Sequence, residues 1–296
     1  GHLWALLEAE QIDAAEWCTV AQALLGDPHR LVIEAVIEGL TQLTPAAPEG
    51  PVWSAWIASR LQPHADRLGR VPRVNEGAND RLARPTVLRA LADLGADGAT
   101  RAALADLGRQ ALLDFRRADP EVVALALPVA AWDGDRSVHD RLRAALEVAP
   151  TPAHRQAVIT ALGSARADDR IESGFEAFFW PTVRAQDLFA LLRPAADHPS
   201  TRGRLARWLD RRYDAVVEKV GLETAAHLPR LWAKAADRAE RDQVAALFES
   251  AQRRPPGGER ILRQVLEGID RNVRLTRWTR SSLARFLPDV DDLRRV

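Results

Sequence analysis

The sequence is poor in several things at once. Its 296 residues hold one cysteine, no methionine and a single tyrosine. Cys18 alone cannot close an internal disulfide, which excludes a disulfide-stapled scaffold and fits a reducing compartment. A cytoplasmic location is the expectation. Net charge is also lacking, with 41 Lys and Arg against 41 Asp and Glu. That balance argues against a general nucleic-acid binder, which carries a basic excess to neutralise phosphates. It argues equally against an acidic disordered tail. No apolar run approaches the roughly 20 residues of a membrane span, so no membrane partner is expected. The opening Gly1-His2-Leu3-Trp4 has no basic n-region leading into an apolar stretch, and no signal peptide is read there. With no methionine at its head, Gly1-His2 has the look of a cleaved tag. The expectation is a fragment whose native start lies elsewhere.

Catalytic motifs are missing too. The histidines are His2, His29, His64, His139, His154, His198 and His227. None precedes a glutamate and no two are four apart, so a His-Glu-x-x-His zinc helix is excluded. No cysteine pair exists for a structural zinc. The phosphate loop, the Gly-x-Gly-x-x-Gly fingerprint and the Gly-x-Ser-x-Gly elbow are all absent. A self-contained enzyme would need a dispersed site.

What is present is helix. Hydrophobic residues make up 47% of the chain, and alternating β-branched runs are scarce. Ala14, Trp17, Cys18, Ala21, Leu24 and Leu25 fall on one face of a helix. Ile33, Val36, Ile37, Leu40 and Leu43 repeat the pattern. So do Leu205, Trp208, Leu209 and Val216, and again Ile261, Val265, Leu266, Ile269 and Val273. Asp27-Pro28, Asp119-Pro120, Thr151-Pro152 and His198-Pro199 each precede a helical pattern. In the first three an N-cap side chain stands beside a proline at the first helical position. Gly26, Gly95, Gly163 and Gly221 stand where left-handed C-caps would sit.

The stretches Pro85 to Asp97, Pro120 to Asp135 and Pro152 to Asp168 form a weak repeat. Each runs from Pro through an Ala/Val/Leu helix to a Gly/Asp turn. The period of about 32 to 38 residues is that of helix hairpins in α-solenoids. Tetratricopeptide and ankyrin signatures are absent, so HEAT-like pairs fit best. Thr44 to Pro51, Gly69 to Asp80 and Arg253 to Gly258 read as longer loops, none a firm boundary. The expected architecture is all-α, one superhelical array of antiparallel HEAT/armadillo-like pairs over residues 1–296. Such arrays offer concave faces to extended peptides or partner proteins.

Most singled-out side chains have a packing reading. Cys18, Trp17 and Trp208 lie on apolar stripes, where a core role is expected. Trp53 and Trp56 share a helix face that suits core or interface. Phe175, Phe178 and Phe179 suggest a buried helix. Arg116-Arg117, Arg211-Arg212 and Arg253-Arg254 suggest solvated faces or helix C-terminal partners.

Four segments, in order, resemble the C-terminal domain of M1-family zinc aminopeptidases, in the branch of the puromycin-sensitive and endoplasmic-reticulum enzymes. The first is Leu3-Trp4-Ala5-Leu6-Leu7, through Asp27-Pro28 to Leu43. The second is Val183-Arg184-Ala185-Gln186-Asp187. The third is His198-Pro199, Gly203-Arg204-Leu205-Ala206, Trp208 and Leu209. The fourth is Arg263-Gln264-Val265-Leu266-Glu267-Gly268-Ile269 with Asn272-Val273. Arg70, Arg212-Tyr213 and His198 depart from the family's usual Trp, Asn-Trp and Asn, at packing or capping positions.

The resemblance implies a non-catalytic bowl of HEAT-like pairs that closes over the catalytic domain of the same polypeptide. It encloses the chamber and contacts the distal part of a peptide substrate. The parent enzyme would remove N-terminal residues from peptides. It would hold its zinc in an upstream catalytic domain, and this segment would carry no cofactor and no catalytic residue. Arg184 and Gln186, at an expected helix start in a family-like segment, are the nominees for peptide contact. A carboxylate suits Arg and helix-start N–H groups. The competing reading of this pair is a cap plus an inter-helix hydrogen bond. Two further readings of the whole chain stand beside this one: a stand-alone HEAT-like scaffold that binds a protein partner, and an all-α lyase or hydrolase with a dispersed site.

Overall fold

The computed structural model describes residues 2–248, 253 and 255–287. Among these the chain forms fourteen α-helices and four 3-10 turns and no strand. The all-α class expected from the Ala/Leu/Arg-rich periodicity is the one observed. Two compact units emerge, residues 1–103 with 274–296 and residues 104–273.

The first unit contains α1 (His2–Glu8), α2 (Ala14–Leu24), α3 (Arg30–Leu43), α4 (Val52–Leu68) and α5 (Ala78–Asp93). It also holds the start of α6 (Gly98–Ala111) and the end of α14 (Gly258–Phe286). Consecutive helices pack on one another, α1 on α2, α2 on α3 and α4 on α5, while α3 also meets α5. Asp13 caps α2 reciprocally: its carboxylate accepts the Glu16 N–H at 3.0 Å, and Glu16 accepts the Asp13 N–H at 2.9 Å. Ala14, Trp17, Cys18, Ala21 and Leu25 are buried as the stripe requires. Leu24, counted on that stripe, is instead 43% exposed. Its angle places it at the edge of a narrow face already filled by Ala21 and Leu25. Trp53 and Trp56 settle as core, stacked with centroids 5.5 Å apart. The Trp53 indole N–H donates to Thr44 Oγ1 at 3.2 Å.

The second unit holds the rest of α6, then α7 (Pro120–Trp132), α8 (Arg136–Glu147), α9 (Pro152–Leu162), α10 (Ile171–Glu176), α11 (Leu188–Asp197), α12 (Pro199–Ala225), α13 (Arg238–Phe248) and the start of α14. Val123 and every residue from Leu125 to Trp132 are buried, as suits a helix apolar nearly all round. α9 lies against α7, α8 and α11, and α12 against α10, α11 and α13. Phe175, Phe178, Trp208 and Leu209 lie in the core, with Phe179 at its margin.

The helix punctuation divides into what local chemistry controls and what packing controls. Asp119, Thr151 and His198 cap α7, α9 and α12 directly before their prolines. Asp27 does not cap α3. It accepts the His29 N–H at 2.8 Å, and α3 begins at Arg30 with His29 as its cap. Pro85 opens no helix; it lies inside α5, which starts at Ala78.

Of the four expected C-cap glycines only Gly221 has positive φ, at +80°, where it breaks α12. Gly163 keeps φ −84° and serves close approach instead, since a Cβ there would run into the Leu191 carbonyl of α11. After α5 the left-handed residue is Ala96, at φ +47°, and not Gly95. Arg211 and Arg212 are exposed and paired with Glu172 and Glu176, and Arg253 pairs with Asp210 at 2.6 Å. Arg254 lies outside the described residues, as does part of the loop from Arg253 to Gly258.

Candidate substrate-contact segment

The chain between α10 and α11 carries the two nominated residues. Phe175 and Phe178 anchor its first half in the core. Val183 anchors the second half at 1% exposure, and a 3-10 turn over Ala185–Asp187 feeds straight into α11. Between these anchors Arg184 and Gln186 are exposed.

Asp187 fixes the turn. Its side chain is buried, and its carboxylate accepts the Arg184 backbone N–H at 2.8 Å and a guanidinium N–H of Arg155 from α9. Its own N–H donates back to the Arg184 carbonyl at 3.0 Å. The helix-start N–H of Arg184 is therefore engaged internally, and what faces outward is the side chains of Arg184 and Gln186. The sequence reading passed over Asp187. Its signal was the reciprocal-cap spacing, an acid three residues after the residue it caps.

Cations gather here. Lys219 of α12 donates to the Phe178 carbonyl at 2.5 Å and lies 4.7 Å from the Phe178 ring centroid. Burial holds its ammonium below the usual lysine range, and the Asp187 charge acts in the opposite sense. One carboxylate, Asp187, thus stands among Arg155, Arg184 and Lys219, which leaves the turn net positive.

Beside it the Arg143 guanidinium lies 4.9 Å from the Trp180 ring centroid, and His139 meets the same ring edge-on at 5.7 Å. Burial depresses His139 below the ordinary imidazole value; the Asp140 charge opposes this, and Arg170 and Arg143 add to it. Arg212 grips Glu176 with two hydrogen bonds of 2.9 and 2.8 Å, and Glu176 also accepts the Trp208 indole N–H at 2.8 Å. Chemically the segment is a rigid, cationic, aromatic-backed turn. It can attract and orient an anionic or amide group, but it holds no nucleophile paired with a base.

Among the described residues no three His, Cys, Asp or Glu side chains gather as a metal would need. The Cys18 thiol is fully buried and pushed up to about 12 by burial, with the Asp13 charge adding. No helix of the described residues is long and apolar enough to cross a membrane.

Successively packed helices define an all-α domain. The sequence matches the profile described as ERAP1-like C-terminal domain over residues 1–271. The chain belongs to this family and is the C-terminal domain of an ERAP1-like aminopeptidase. No curated protein matches it.

Proposed function

We propose that this domain serves an M1-type, zinc-dependent aminopeptidase of the cytoplasm. It closes over the parent's catalytic domain, encloses the substrate chamber, and touches the distal part of peptide substrates with Arg184 and Gln186. The zinc and the hydrolytic residues belong to the catalytic domain, and the peptide and that domain are the partners. Family membership supports the domain's place in the parent. The observation that carries peptide contact is the turn at Arg184: Asp187 and Arg155 pin its backbone while the guanidinium stays exposed. Pinning the backbone removes that part of the ordering cost, and the exposed side chain loses only its own rotamer freedom when it pairs with a carboxylate.

The test is steady-state kinetics of the whole enzyme bearing Arg184→Ala with Gln186→Ala. KM for peptides of about ten residues is expected to rise about tenfold, the effect of losing one charge-assisted contact of about 1.4 kcal/mol. Hydrolysis of a single aminoacyl-nitroanilide should stay at its original rate. Equal KM values for long peptides in variant and parent would overturn the contact.

A further inference from the structure

The C-terminal half of α14 carries a feature that the reading above leaves unused. From Arg274 to Phe286 it holds Arg274, Arg277, Arg280 and Arg285 and no acid. All four arginines are exposed. The opposite side of this stretch is buried through Leu275, Thr276, Thr279, Ser282 and Leu283, so the arginines form the outer face of a firmly seated helix. It is held further by Ser282 Oγ, which accepts the Ala14 N–H at 3.1 Å.

Among the described residues the charge on this face is compensated only at its ends. Arg274 stands 3.8 Å from Glu10, and Arg285 stands 3.6 Å from Asp13. Arg277 and Arg280, between them, have no ion pair among the described residues. On a different side of the helix Trp278 is 40% exposed, with its indole N–H donating to the Ile12 carbonyl at 3.4 Å. The face therefore offers two guanidinium groups, about one helical turn apart, with no ion pair among the described residues. It spans about 16 Å of helix axis at 1.5 Å per residue.

We propose that this face docks an acidic peptide segment of a partner protein, with two or more carboxylates on Arg277 and Arg280, which lie three apart on one side of the helix. The balance of charge selects this partner class. Among the described residues, four arginines less Glu10 and Asp13 leave about two net charges, well short of the roughly six to ten phosphate contacts of a strongly salt-dependent nucleic-acid binder. Glu10 and Asp13 also place carboxylates at both ends, where a continuous polyphosphate would meet repulsion. An interfacial membrane helix needs a broad apolar face, and here Trp278 is the one large hydrophobic residue exposed on the helix. Discrete carboxylates spaced along a peptide match Arg forks, which bind such groups two hydrogen bonds at a time.

The experiment uses the full chain and fluorescence anisotropy with a labelled peptide of six glutamates. The comparison probes are its glutamine counterpart, a uridine oligonucleotide and phosphatidylserine vesicles. The expected result is binding of the glutamate peptide at least about tenfold tighter than the glutamine one, weakened as salt shortens the screening length. Arg277→Glu with Arg280→Glu should abolish it, while Arg277→Lys with Arg280→Lys, which keeps the charge and loses the two-bond fork, should weaken it severalfold without abolishing it. Both pairs are surface changes, and circular dichroism confirms folding. Equal or absent binding of the two peptides would overturn the proposal, as would retention in the glutamate variant or tighter binding to the oligonucleotide or the vesicles.

Discussion

Replacing Asp187 with alanine is the perturbation that bears most directly on the candidate segment. The carboxylate is 6% exposed and accepts two charge-assisted hydrogen bonds, from the Arg184 N–H and the Arg155 guanidinium. Each such bond contributes about 1.5 kcal/mol at the low end of its range. Removing the acid also strands Arg155, whose side chain is 18% exposed. Breaking a fully buried pair costs about 3–5 kcal/mol, and the partial exposure of Arg155 places the expected loss near the lower limit, about 3 kcal/mol. At about 2–4 °C per kcal/mol for a chain of this size, the melting point should fall by about 6–12 °C. Asp187→Asn keeps an acceptor for the Arg184 N–H but loses the charge, so about half the effect is expected. Urea melts followed by circular dichroism, on both variants and on Arg155→Ala, measure this. The double variant should show strong non-additivity, because both changes remove one interaction. If Asp187→Ala stays within about 0.5 kcal/mol of the parent, the range of neutral surface changes, the pinned-turn argument is wrong.

Three further outcomes follow from the packing and the charges. Gly163→Ala should cost about 2–3 kcal/mol in the same melts, because the added Cβ meets the Leu191 backbone, which cannot move as a side-chain tip can. Cys18 should resist iodoacetamide at pH 8 in the native chain and react fully in denaturant, since it is buried and its thiol is pushed up to about 12. Asp80, hydrogen-bonded to Arg67 at 2.6 Å, has its carboxyl held below the usual carboxylate range, with the Arg67 bond the largest cause. Its stabilisation is present above the unfolded carboxyl value of about 3.9 and is lost as pH falls through the folded one. Asp80→Asn should therefore flatten the acid limb of a stability-versus-pH curve, by less than about 1 kcal/mol because the pair is partly exposed.

The sequence was legible where local chemistry decides. Caps at Asp119 and Thr151 depend on a side chain and the next few N–H groups, and both form where the sequence puts them, whereas the cap expected at Asp27 falls on His29. The stripe of α3 is buried throughout because its heptad-like spacing leaves no other face to bury. Legibility failed where a distant backbone decides. Gly163 resembles a C-cap in one dimension, yet its lack of a side chain makes room for the Leu191 carbonyl 28 residues on. Pro85 resembles a helix start, yet α5 runs through it from Ala78. At the candidate segment Arg184 and Gln186 were nominated for what a carboxylate would need. Asp187, which organises their turn, takes its importance from its ion pair with Arg155, a residue 32 positions away in the chain.

That this chain is a non-catalytic domain of an aminopeptidase is tested most simply by an assay of the purified chain alone. Zinc content and aminoacyl-nitroanilide hydrolysis are measured on the same preparation. The expected result is no stoichiometric zinc and no turnover. Turnover that survives chelators and repurification would contradict it.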